Sequence, residues 1–279
     1  MTDPRLLLVR GDLAAANLEG LWPASRYART TSMHVTTPSA SLKSAPDMLA
    51  EQASQLLFGE TFEVLLEEQD FAFGQSERDG YVGYVHKDAL SAGRGSPDHR
   101  VSVLRTFAFS EPSIKSTPVA AYSLNALVTP KASEGRFVKD ASGGWFINAH
   151  LSRIGDFDDE PVAVAERFVG VPYLWGGNDS LGLDCSGLVQ QAMRACGKAC
   201  PRDSDQQMAL GAPVSDPQSL RRGDLIFWKG HVGFIAGPNR LLHANAHHMA
   251  VALEALDEAA QRIEDAGSGT PIAFRRPLI

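Results

Sequence analysis

A cysteine at a predicted helix start is the strongest candidate for chemistry in this sequence. The segment LDCSGLVQQAMRACG places Asp184 as a helix N-cap, so that Cys185 becomes the first helical residue. Unpaired backbone N–H groups and the positive dipole end favour a thiolate at that position. A thiolate is an effective nucleophile at neutral pH, and the small neighbours Ser186 and Gly187 keep the approach to the sulfur open. The pattern therefore predicts nucleophilic catalysis by Cys185, with a packed structural thiol as the alternative.

A thiol catalyst needs a base, and His231 and His243 are the candidates. They flank a predicted hairpin, HVGFIAGPNRLLHAN, whose turn lies at residues 237–239. If the numbers of paired residues sum to 474 or 476, both imidazoles lie on one face, as direct or diagonal neighbours. An odd sum places them on opposite faces. In the even case one histidine can act as the base while the other orients it.

The remaining thiols and nearby aromatic residues suggest structural roles when they are taken alone. Cys196 lies on the apolar stripe of the predicted helix, and Cys200 precedes a proline in a loop. Because these two thiols have no clear histidine partner, a zinc site is the less favoured alternative, and no metal is expected. Tyr173 and Trp175 are interpreted as core aromatic residues.

The composition is typical of a globular protein of two or three domains. The chain has 279 residues, of which 44% are hydrophobic and 21% charged, which excludes a fully disordered chain. No run reaches roughly 18 apolar residues, so no membrane-spanning helix is expected. The net charge of −7 provides no overall field for nucleic acid or anionic lipid, so neither is expected as a partner. The oligomeric state stays open.

The cysteine count and the first residues favour a reducing compartment. Three cysteines do not make a disulfide framework. The start MTDPRLLLVRGD carries an acid at Asp3 and an apolar stretch of four residues. A secretory signal has a basic start and roughly 7–15 apolar residues. We therefore expect a cytoplasmic protein.

The first half of the chain reads as a short lead-in followed by β-structure. Residues 1–30 are interpreted as a helical or irregular lead-in, because DLAAANLEG contains helix formers. From 31 to 155, short β-type runs such as TFEVLLEE and GYVGYVHKDAL alternate with turn residues. A weak repeat between DGYVGYVHKDAL and SGGWFINAHL predicts two small barrels, 31–95 and 96–155. One irregular many-stranded domain is the alternative.

The second half changes to a helical pattern after the acidic linker GDFDDEP. Two segments have apolar residues at helical spacing, PVAVAERFVG and the segment that begins at Cys185. Three strand-like runs follow, GDLIFWKG, HVGFIAG and RLLHAN. Helices followed by an antiparallel sheet predict an α+β domain over 156–279.

Three separate motifs resemble those of one peptidase family. VPYLWGGNDSLGLDCSGLV (171–189), RRGDLIFWKGHVGFIAG (221–237) and LLHA (241–244) follow the order of the NlpC-type cell-wall peptidases, which are papain-like cysteine peptidases. The resemblance covers about 160–279 and is specific because several motifs occur together. It implies an α+β fold class in which a papain-like NlpC-type catalytic domain is preceded by two small SH3-like β-barrels. It implies no cofactor.

The resemblance assigns roles by position. It implies that Cys185 is the nucleophile, His231 the general base and His243 the polar residue that orients the base. Tyr173 matches a tyrosine whose hydroxyl helps to form the oxyanion hole. The further residues expected to line the substrate in this domain are Asp184, Ser186 and Trp175.

The order of the domains also resembles that of a family of peptidases with a particular activity. Two SH3-like barrels ahead of such a domain resemble the bacterial γ-D-glutamyl-L-diamino-acid endopeptidases, also called dipeptidyl-peptidase VI. The resemblance implies hydrolysis of the γ-D-glutamyl bond to an L-diamino acid in free murein stem peptides that begin with L-alanine. The product would be L-Ala-γ-D-Glu, released during cell-wall recycling. Whether the diamino acid is meso-diaminopimelate or lysine stays open.

The resemblance extends, with less precision, to substrate contacts. PRDSDQQ (201–207) resembles the loop that binds the peptide amine and the glutamate carboxylate, which gives Asp203 and Ser204. A helix N-cap at either residue is compatible with that role. The residues that loosely match an acid and a tyrosine of the first barrel are Glu60 and Tyr81, with Tyr84 as a rival to Tyr81 and a solvated turn as the alternative for Glu60.

Two other functions are kept beside the recycling peptidase. One is an exported hydrolase that trims the intact wall, against which the missing signal argues. The other is a catalytically silent module that binds wall peptides. The intact set of Cys185, His231, His243 and Tyr173 argues against a silent module.

Overall fold

Short β-type runs separated by turns give the first half of the chain a β-rich fold, and the second half combines helices with an antiparallel sheet. The structure, a computed structural model, describes residues 3–277. The chain divides into two units, Met1–Ile154 and Gly155–Ile279. The predicted lead-in begins, and the predicted α+β domain ends, outside the described residues. The predicted domain limits stay predictions.

The first unit begins with a small sheet that replaces the expected lead-in. Its strands are β1 (Val9–Arg10), β2 (Leu13–Ala15) and β3 (Arg26–Ala28), flanked by 3-10 turns at Pro4–Leu6 and Ala16–Leu18. The helix formers of DLAAANLEG therefore give a strand and one short turn. Leu8 and Ala15 pack against Phe71, Phe73 and Tyr84, so tertiary packing outweighs helix propensity here.

A seven-stranded antiparallel sheet follows, in the spatial order β10-β4-β7-β8-β9-β5-β6. Its strands are β4 (Thr31–Val35), β5 (Ser39–Lys43), β6 (Gln52–Leu57), β7 (Thr61–Glu68), β8 (Phe71–Ser76), β9 (Val82–His86) and β10 (Leu90–Ala92), with a 3-10 turn at Lys87–Ala89. Residues such as Leu42, Phe62 and Val85 alternate inward and form its core.

Two further sheets complete the first unit. One has the order β14-β11-β18 and the other β13-β12-β17-β16-β15. The strands are β11 (His99–Val101), β12 (Arg105–Phe109), β13 (Pro118–Ser123), β14 (Leu127–Val128), β15 (Pro130–Glu134), β16 (Phe137–Asp140), β17 (Trp145–Ile147) and β18 (Leu151–Arg153), with a 3-10 turn at Asn148–His150. Their core is built on Phe58, Tyr122 and Phe146. Since Phe58 comes from the segment before β7, this core takes a residue from the predicted first barrel.

In the second unit, three helices precede a six-stranded antiparallel sheet and a fourth lies between its last two strands, and the predicted α+β class is confirmed. The helices are α1 (Pro161–Glu166), α2 (Cys185–Ala195), α3 (Ser204–Gln207) and α4 (Leu256–Ile263), with a 3-10 turn at Pro217–Ser219 and a π-helical turn at Glu264–Ser268. The strands are β19 (Asn178–Asp179), β20 (Gly182–Leu183), β21 (Ala212–Pro213), β22 (Leu225–Trp228), β23 (His231–Gly237), β24 (Arg240–Asn245), β25 (Ala250–Ala255) and β26 (Ala273–Arg276). The large sheet has the order β21-β26-β22-β23-β24-β25, and β19 pairs with β20.

Helix α2 is the central helix of this unit. Its apolar stripe, which includes Leu188, Val189 and Met193, is buried as predicted, and the helix contacts β23 and β24. In the preceding helical segment Phe168 is buried, whereas Val169, expected on the same stripe, is exposed beyond the end of α1. Within residues 3–277, no helix is both long and apolar enough to cross a membrane.

Candidate active site

The start of helix α2 is held by Asp184, as the sequence predicts. Its carboxylate accepts hydrogen bonds from the backbone N–H of Gly187 at 2.7 Å and of Gly176 at 3.0 Å. Gly187 has no room for a side chain, because a Cβ there would lie 2.4 Å from the carbonyl oxygen of Gly177. The loop before the helix is thereby packed directly onto the turn that carries Cys185.

A buried arginine neutralises the carboxylate at this helix start. Arg202 is 1% exposed and donates to both oxygens of Asp184, at 3.0 and 2.6 Å. The same guanidinium donates to Ser186 Oγ at 2.8 Å. Asp184 and Ser186 were expected to line the substrate. In the structure their side chains are buried and bonded within the protein, where they fix the position of the first helical turn.

The thiol of Cys185 is buried, and this changes the expected protonation state. Burial, and then the charge of Asp184, raise the pKa of Cys185 to about 12, although the backbone N–H groups of Val232 and Ser186 act in the opposite direction. The expectation that the helix start favours a thiolate is therefore wrong for the resting protein. Desolvation outweighs the helix dipole, and the thiol is neutral at pH 7.

The two predicted histidines meet on one face of the sheet. Phe234 pairs with Leu242 across β23 and β24, a register sum of 476, so the even case of the prediction is confirmed. His231 and His243 are therefore diagonal neighbours, and His231 Nε2 lies 2.7 Å from His243 Nδ1. Burial, together with His243, lowers the pKa of His231 to about 3, so His231 is a neutral imidazole at pH 7.

Sequence reasoning missed an acid and an arginine that continue this chain of contacts. Glu254 Oε1 lies 2.6 Å from His243 Nε2, and Arg262 binds both oxygens of Glu254, at 2.6 and 2.8 Å. Burial alone would raise the pKa of Glu254, but the hydrogen bonds from His243 and Arg262 lower it to about 2. Glu254 lies on β25 and Arg262 on α4. Neither element was predicted, and only the amphipathic pattern of LDEAAQRI could have signalled the helix.

Tyr173 and Trp175 occupy different environments. Tyr173 is partly buried, and burial followed by the nearby Cys185 raises the pKa of its phenol, which therefore stays protonated and able to donate. Trp175 is 61% exposed, so its interpretation as a core residue is wrong. A contact of Trp175 with the substrate stays a prediction.

Asp203 and Ser204 lie at the start of α3, as the helix-cap interpretation predicts. Asp203 is the N-cap in a capping box with Gln206. In the same short helix, Gln207 donates to the carbonyl oxygen of Ser186 at 3.0 Å, which ties α3 to the start of α2. A contact of Asp203 or Ser204 with the substrate amine stays a prediction.

The candidates from the first unit, Glu60 and Tyr81, are both buried there. Glu60 is 2% exposed and binds Arg78 Nη1 at 2.9 and 3.1 Å, so it is not the solvated turn residue of the alternative interpretation. Tyr81 belongs to the core of the seven-stranded sheet, and its rival Tyr84 packs on the opposite core cluster. Their contribution to a substrate site stays a prediction.

A cavity of about 480 Å³ opens beside the histidines. Tyr173, His231 and His243 form part of its wall. The rest comes from the turn between β22 and β23, from the end of β24 and the loop after it, and from the end of α4 and the turn after it. Cys196 and Cys200 are buried outside that wall. A buried thiol, a neutral imidazole pair, a protonated phenol and a cavity together suit acyl transfer through a thioester.

Comparison with known proteins matches a segment in each part of the chain. Residues 170–263 match the NlpC/P60 family, and residues 42–90 match the bacterial dipeptidyl-peptidase Sh3 domain. A dipeptidyl-peptidase 6 from Lysinibacillus sphaericus is 26% identical over 245 residues, which cover 78% of this chain and 89% of that protein. A γ-D-glutamyl-L-lysine dipeptidyl-peptidase from Bacillus subtilis is 28% identical over 214 residues, or 68% of this chain and 71% of that protein.

Solved structures agree on the fold. The crystal structure of an NlpC/P60 family protein from Bacillus cereus aligns with a TM-score of 0.75 at 20% identity, and it covers 89% of this chain and all of that one. The predicted fold class, a papain-like domain behind SH3-like structure, is thereby confirmed.

Proposed function

Since the chain is a cysteine endopeptidase with an NlpC/P60 domain and a bacterial dipeptidyl-peptidase SH3 domain, we propose that it hydrolyses the γ-D-glutamyl–L-diamino acid bond of murein stem peptides. The substrates are free peptides with an N-terminal L-alanine, and the product is L-Ala-γ-D-Glu. The reaction belongs to cell-wall recycling in the cytoplasm, a reducing compartment that suits a chain with three cysteines and no disulfide framework. As a family of peptidases is matched, the silent binding module is not retained.

The observation that carries the proposal is the 2.7 Å contact between His231 and His243 next to the buried thiol of Cys185. Cys185 is the first residue of α2. The backbone N–H of Val232, the residue after His231, lowers the pKa of its thiol through a hydrogen bond. The thiol is therefore adjacent to the start of β23. A thiol beside the start of β23 and two histidines in hydrogen-bond contact support acyl transfer with Cys185 as nucleophile, His231 as base and His243 as the residue that orients the base.

The reaction begins with the thiol of Cys185 and the imidazole of His231 both uncharged. His231 takes the thiol proton through Nδ1 as the sulfur of Cys185 attacks the γ-carbonyl carbon of D-glutamate. The C–S bond forms while the carbonyl electron pair moves onto oxygen, which the Cys185 backbone N–H and the Tyr173 hydroxyl stabilise. Collapse of this intermediate breaks the C–N bond. The leaving α-amine of the diamino acid receives the proton from His231.

The second half of the reaction regenerates the thiol. A water molecule gives a proton to His231 and attacks the thioester carbon. The C–S bond breaks and the sulfur recovers its proton from His231. L-Ala-γ-D-Glu is released with a new γ-carboxyl group, which loses its proton to solvent at neutral pH. No cofactor enters either half.

Recognition of a free amine is the part of the proposal that Asp203 and Ser204 carry. An ammonium group held against Asp203 contributes about 1.5–3 kcal/mol as a charge-assisted hydrogen bond. An acylated peptide lacks this charge and is rejected.

The test uses L-Ala-γ-D-Glu-meso-diaminopimelate, its N-acetylated copy and purified sacculi, with products followed by mass spectrometry. Release of L-Ala-γ-D-Glu from the free tripeptide alone supports the recycling peptidase. Cleavage of both tripeptides retains the peptidase and removes the role of Asp203. Faster release from sacculi supports the exported wall hydrolase instead. The Cys185→Ala protein should lose at least about 10³-fold in kcat while its circular dichroism spectrum is unchanged.

A further inference from the structure

Apart from the Tyr173 phenol, the ionisable side chains that line the cavity beside the histidines are all basic. Lys229, His247 and Arg262 contribute its cationic or protonatable wall, and Ala246, Ile263 and Ala266 contribute its apolar wall. No carboxylate of the described chain lines it. Arg262 is already bound to Glu254. Lys229 is exposed, and among residues 3–277 no acid forms an ion pair with it, so its ammonium group is available to a ligand.

The position of this cavity identifies which part of a substrate it receives. The amine that leaves must take its proton from the general acid, so the residue after the scissile bond lies against His231. His231 and Tyr173, which border the reacting carbonyl in the proposed mechanism, both belong to the cavity wall. The cavity is therefore on the leaving-group side of the thiol.

The two candidate leaving residues differ in charge at their far ends. L-Lysine ends in an ammonium group alone, whereas meso-diaminopimelate ends in a carboxylate beside an ammonium group. A cationic wall without a carboxylate repels the first and attracts the carboxylate of the second. Because Lys229 is exposed, solvent screens this repulsion, and we expect the discrimination to be modest.

We infer that this cavity is the subsite for the leaving diamino acid and that Lys229 selects a residue with a carboxylate at its far end, as in meso-diaminopimelate. The inference rests on the proposed function and names the substrate class that the proposed function leaves open. His247 forms a polar edge of the same subsite, with its ring packed edge-on against His248 at 4.8 Å.

The experiment compares kcat/KM for L-Ala-γ-D-Glu-meso-diaminopimelate and L-Ala-γ-D-Glu-L-lysine. We expect the wild-type chain to prefer the first by about tenfold, the size of one charge-assisted hydrogen bond. Lys229→Met should remove most of this preference, and Lys229→Glu should invert it. Lys198→Met, at the other end of α2 and outside the cavity, is the matched control and should keep the wild-type ratio.

The outcomes separate the subsite from the function itself. Equal use of both peptides by the wild-type chain, or an unchanged ratio in Lys229→Glu, overturns the subsite and leaves the peptidase intact. Cleavage of neither peptide overturns the proposed function instead.

A second inference comes from a different observation, the hydrogen-bond chain from Glu254 to His231. An ionised carboxylate only accepts hydrogen bonds, so His243 must carry its proton on Nε2, which lies 2.6 Å from Glu254 Oε1. His243 Nδ1 is then an acceptor, and His231 must donate to it from Nε2 at 2.7 Å. His231 Nδ1 is left with a free lone pair.

We propose that Glu254, held by Arg262, is a positioning residue that places both imidazole protons so that His231 can act as a base through Nδ1. Strand pairing and burial both fix the position of the His243 ring relative to Glu254. His243 pairs with Ala252 across β24 and β25, so Glu254 is its diagonal neighbour on the same face. His243 is 1% exposed, so water does not compete for its ring nitrogens.

The sharpest variant is Glu254→Gln, because an amide can donate to His243 Nε2. The opposite pair of tautomers then becomes available, in which His231 Nδ1 carries a proton and cannot accept one from the thiol. We expect kcat to fall on the order of 10²-fold while KM changes less than about twofold. Glu254→Asp should recover part of kcat because it restores an acceptor-only group.

Nitrogen-15 chemical shifts of the histidine rings provide a readout that a loss of stability alone would not move. In the wild-type chain we expect His231 Nδ1 to resonate as an unprotonated nitrogen, and in Glu254→Gln as a mixture. Glu258→Gln, on the exposed face of α4, is the control and should match the wild type. Unchanged kcat and unchanged nitrogen shifts in a folded Glu254→Gln protein would overturn the proposal.

Discussion

His231 Nε2 lies 2.7 Å from His243 Nδ1 because the hairpin that carries them is paired in an even register. The same step is repeated one strand further, where Glu254 is the diagonal neighbour of His243. Three side chains on three adjacent strands therefore form one line of hydrogen bonds. The line depends on strand register, so changes that shift the register should affect catalysis more than they affect folding.

Gly233 tests this dependence directly. It lies under His243, and a Cβ there would come within 2.7 Å of Leu241 Cδ1 and 3.0 Å of His243 Cβ. Gly233→Ala should move β24 and lower kcat roughly 10- to 100-fold, because a small misplacement of a catalytic group is costly. Gly237→Ala in the same strand has no atom within 4 Å of the added Cβ and should keep the wild-type kcat. Steady-state kinetics of the two variants measure the difference, and equal activities would contradict it.

The protonation state of Cys185 is tested by alkylation. Since its pKa is raised to about 12, the thiolate fraction should increase about tenfold per pH unit up to that value. We expect the rate of iodoacetamide modification of the Cys185 peptide, followed by mass spectrometry, to rise in this way from pH 6 to about 10. A rate that is already constant near pH 6 would indicate a thiolate–imidazolium pair at rest. The Cys196 and Cys200 peptides serve as internal references for buried thiols.

Tyr173 is expected to act in the transition state and not in substrate binding. Burial raises the pKa of its phenol, so the hydroxyl remains a donor throughout the usual assay range. Tyr173→Phe should lower kcat by about 10²–10³-fold with a small change in KM. A loss that appears only in KM would remove Tyr173 from the oxyanion hole.

The ion pair between Arg202 and Asp184 should dominate the stability of the second unit. Arg202→Met leaves a buried carboxylate without its partner and should lower the free energy of unfolding by about 3–5 kcal/mol. Arg222→Met removes a half-exposed ion pair with Glu160 and Glu166, and it should cost about 0–1 kcal/mol. Urea unfolding of the two variants gives the comparison. Equal losses in the free energy of unfolding would show that burial does not increase the contribution of the Arg202–Asp184 ion pair to stability.

The sequence was most informative where local rules coincide. Asp184 before a helix, Gly187 at its tight first turn and two histidines about a short turn each follow from cap, turn and strand geometry. The paired register then needs only a parity argument. These features predicted the thiol, the base and its partner.

Glu254 and Arg262 could not be found by the same reasoning. AVALEA, the strand that carries Glu254, is rich in alanine and resembles a helix in isolation. It becomes a strand because β24 offers an edge for pairing. The thiol pKa was also misjudged, because the sequence displays the helix dipole but not the depth of burial, which decides the sign of the shift.

The line of side chains from Cys185 to Arg262 has a consequence for biosynthesis. Its members leave the ribosome in the order nucleophile, base, orienting histidine, acid and arginine. At about 5–20 residues per second, the thiol is synthesised seconds before the arginine that completes the line. The line of hydrogen bonds from His231 to Arg262 is therefore complete only after translation has passed residue 262.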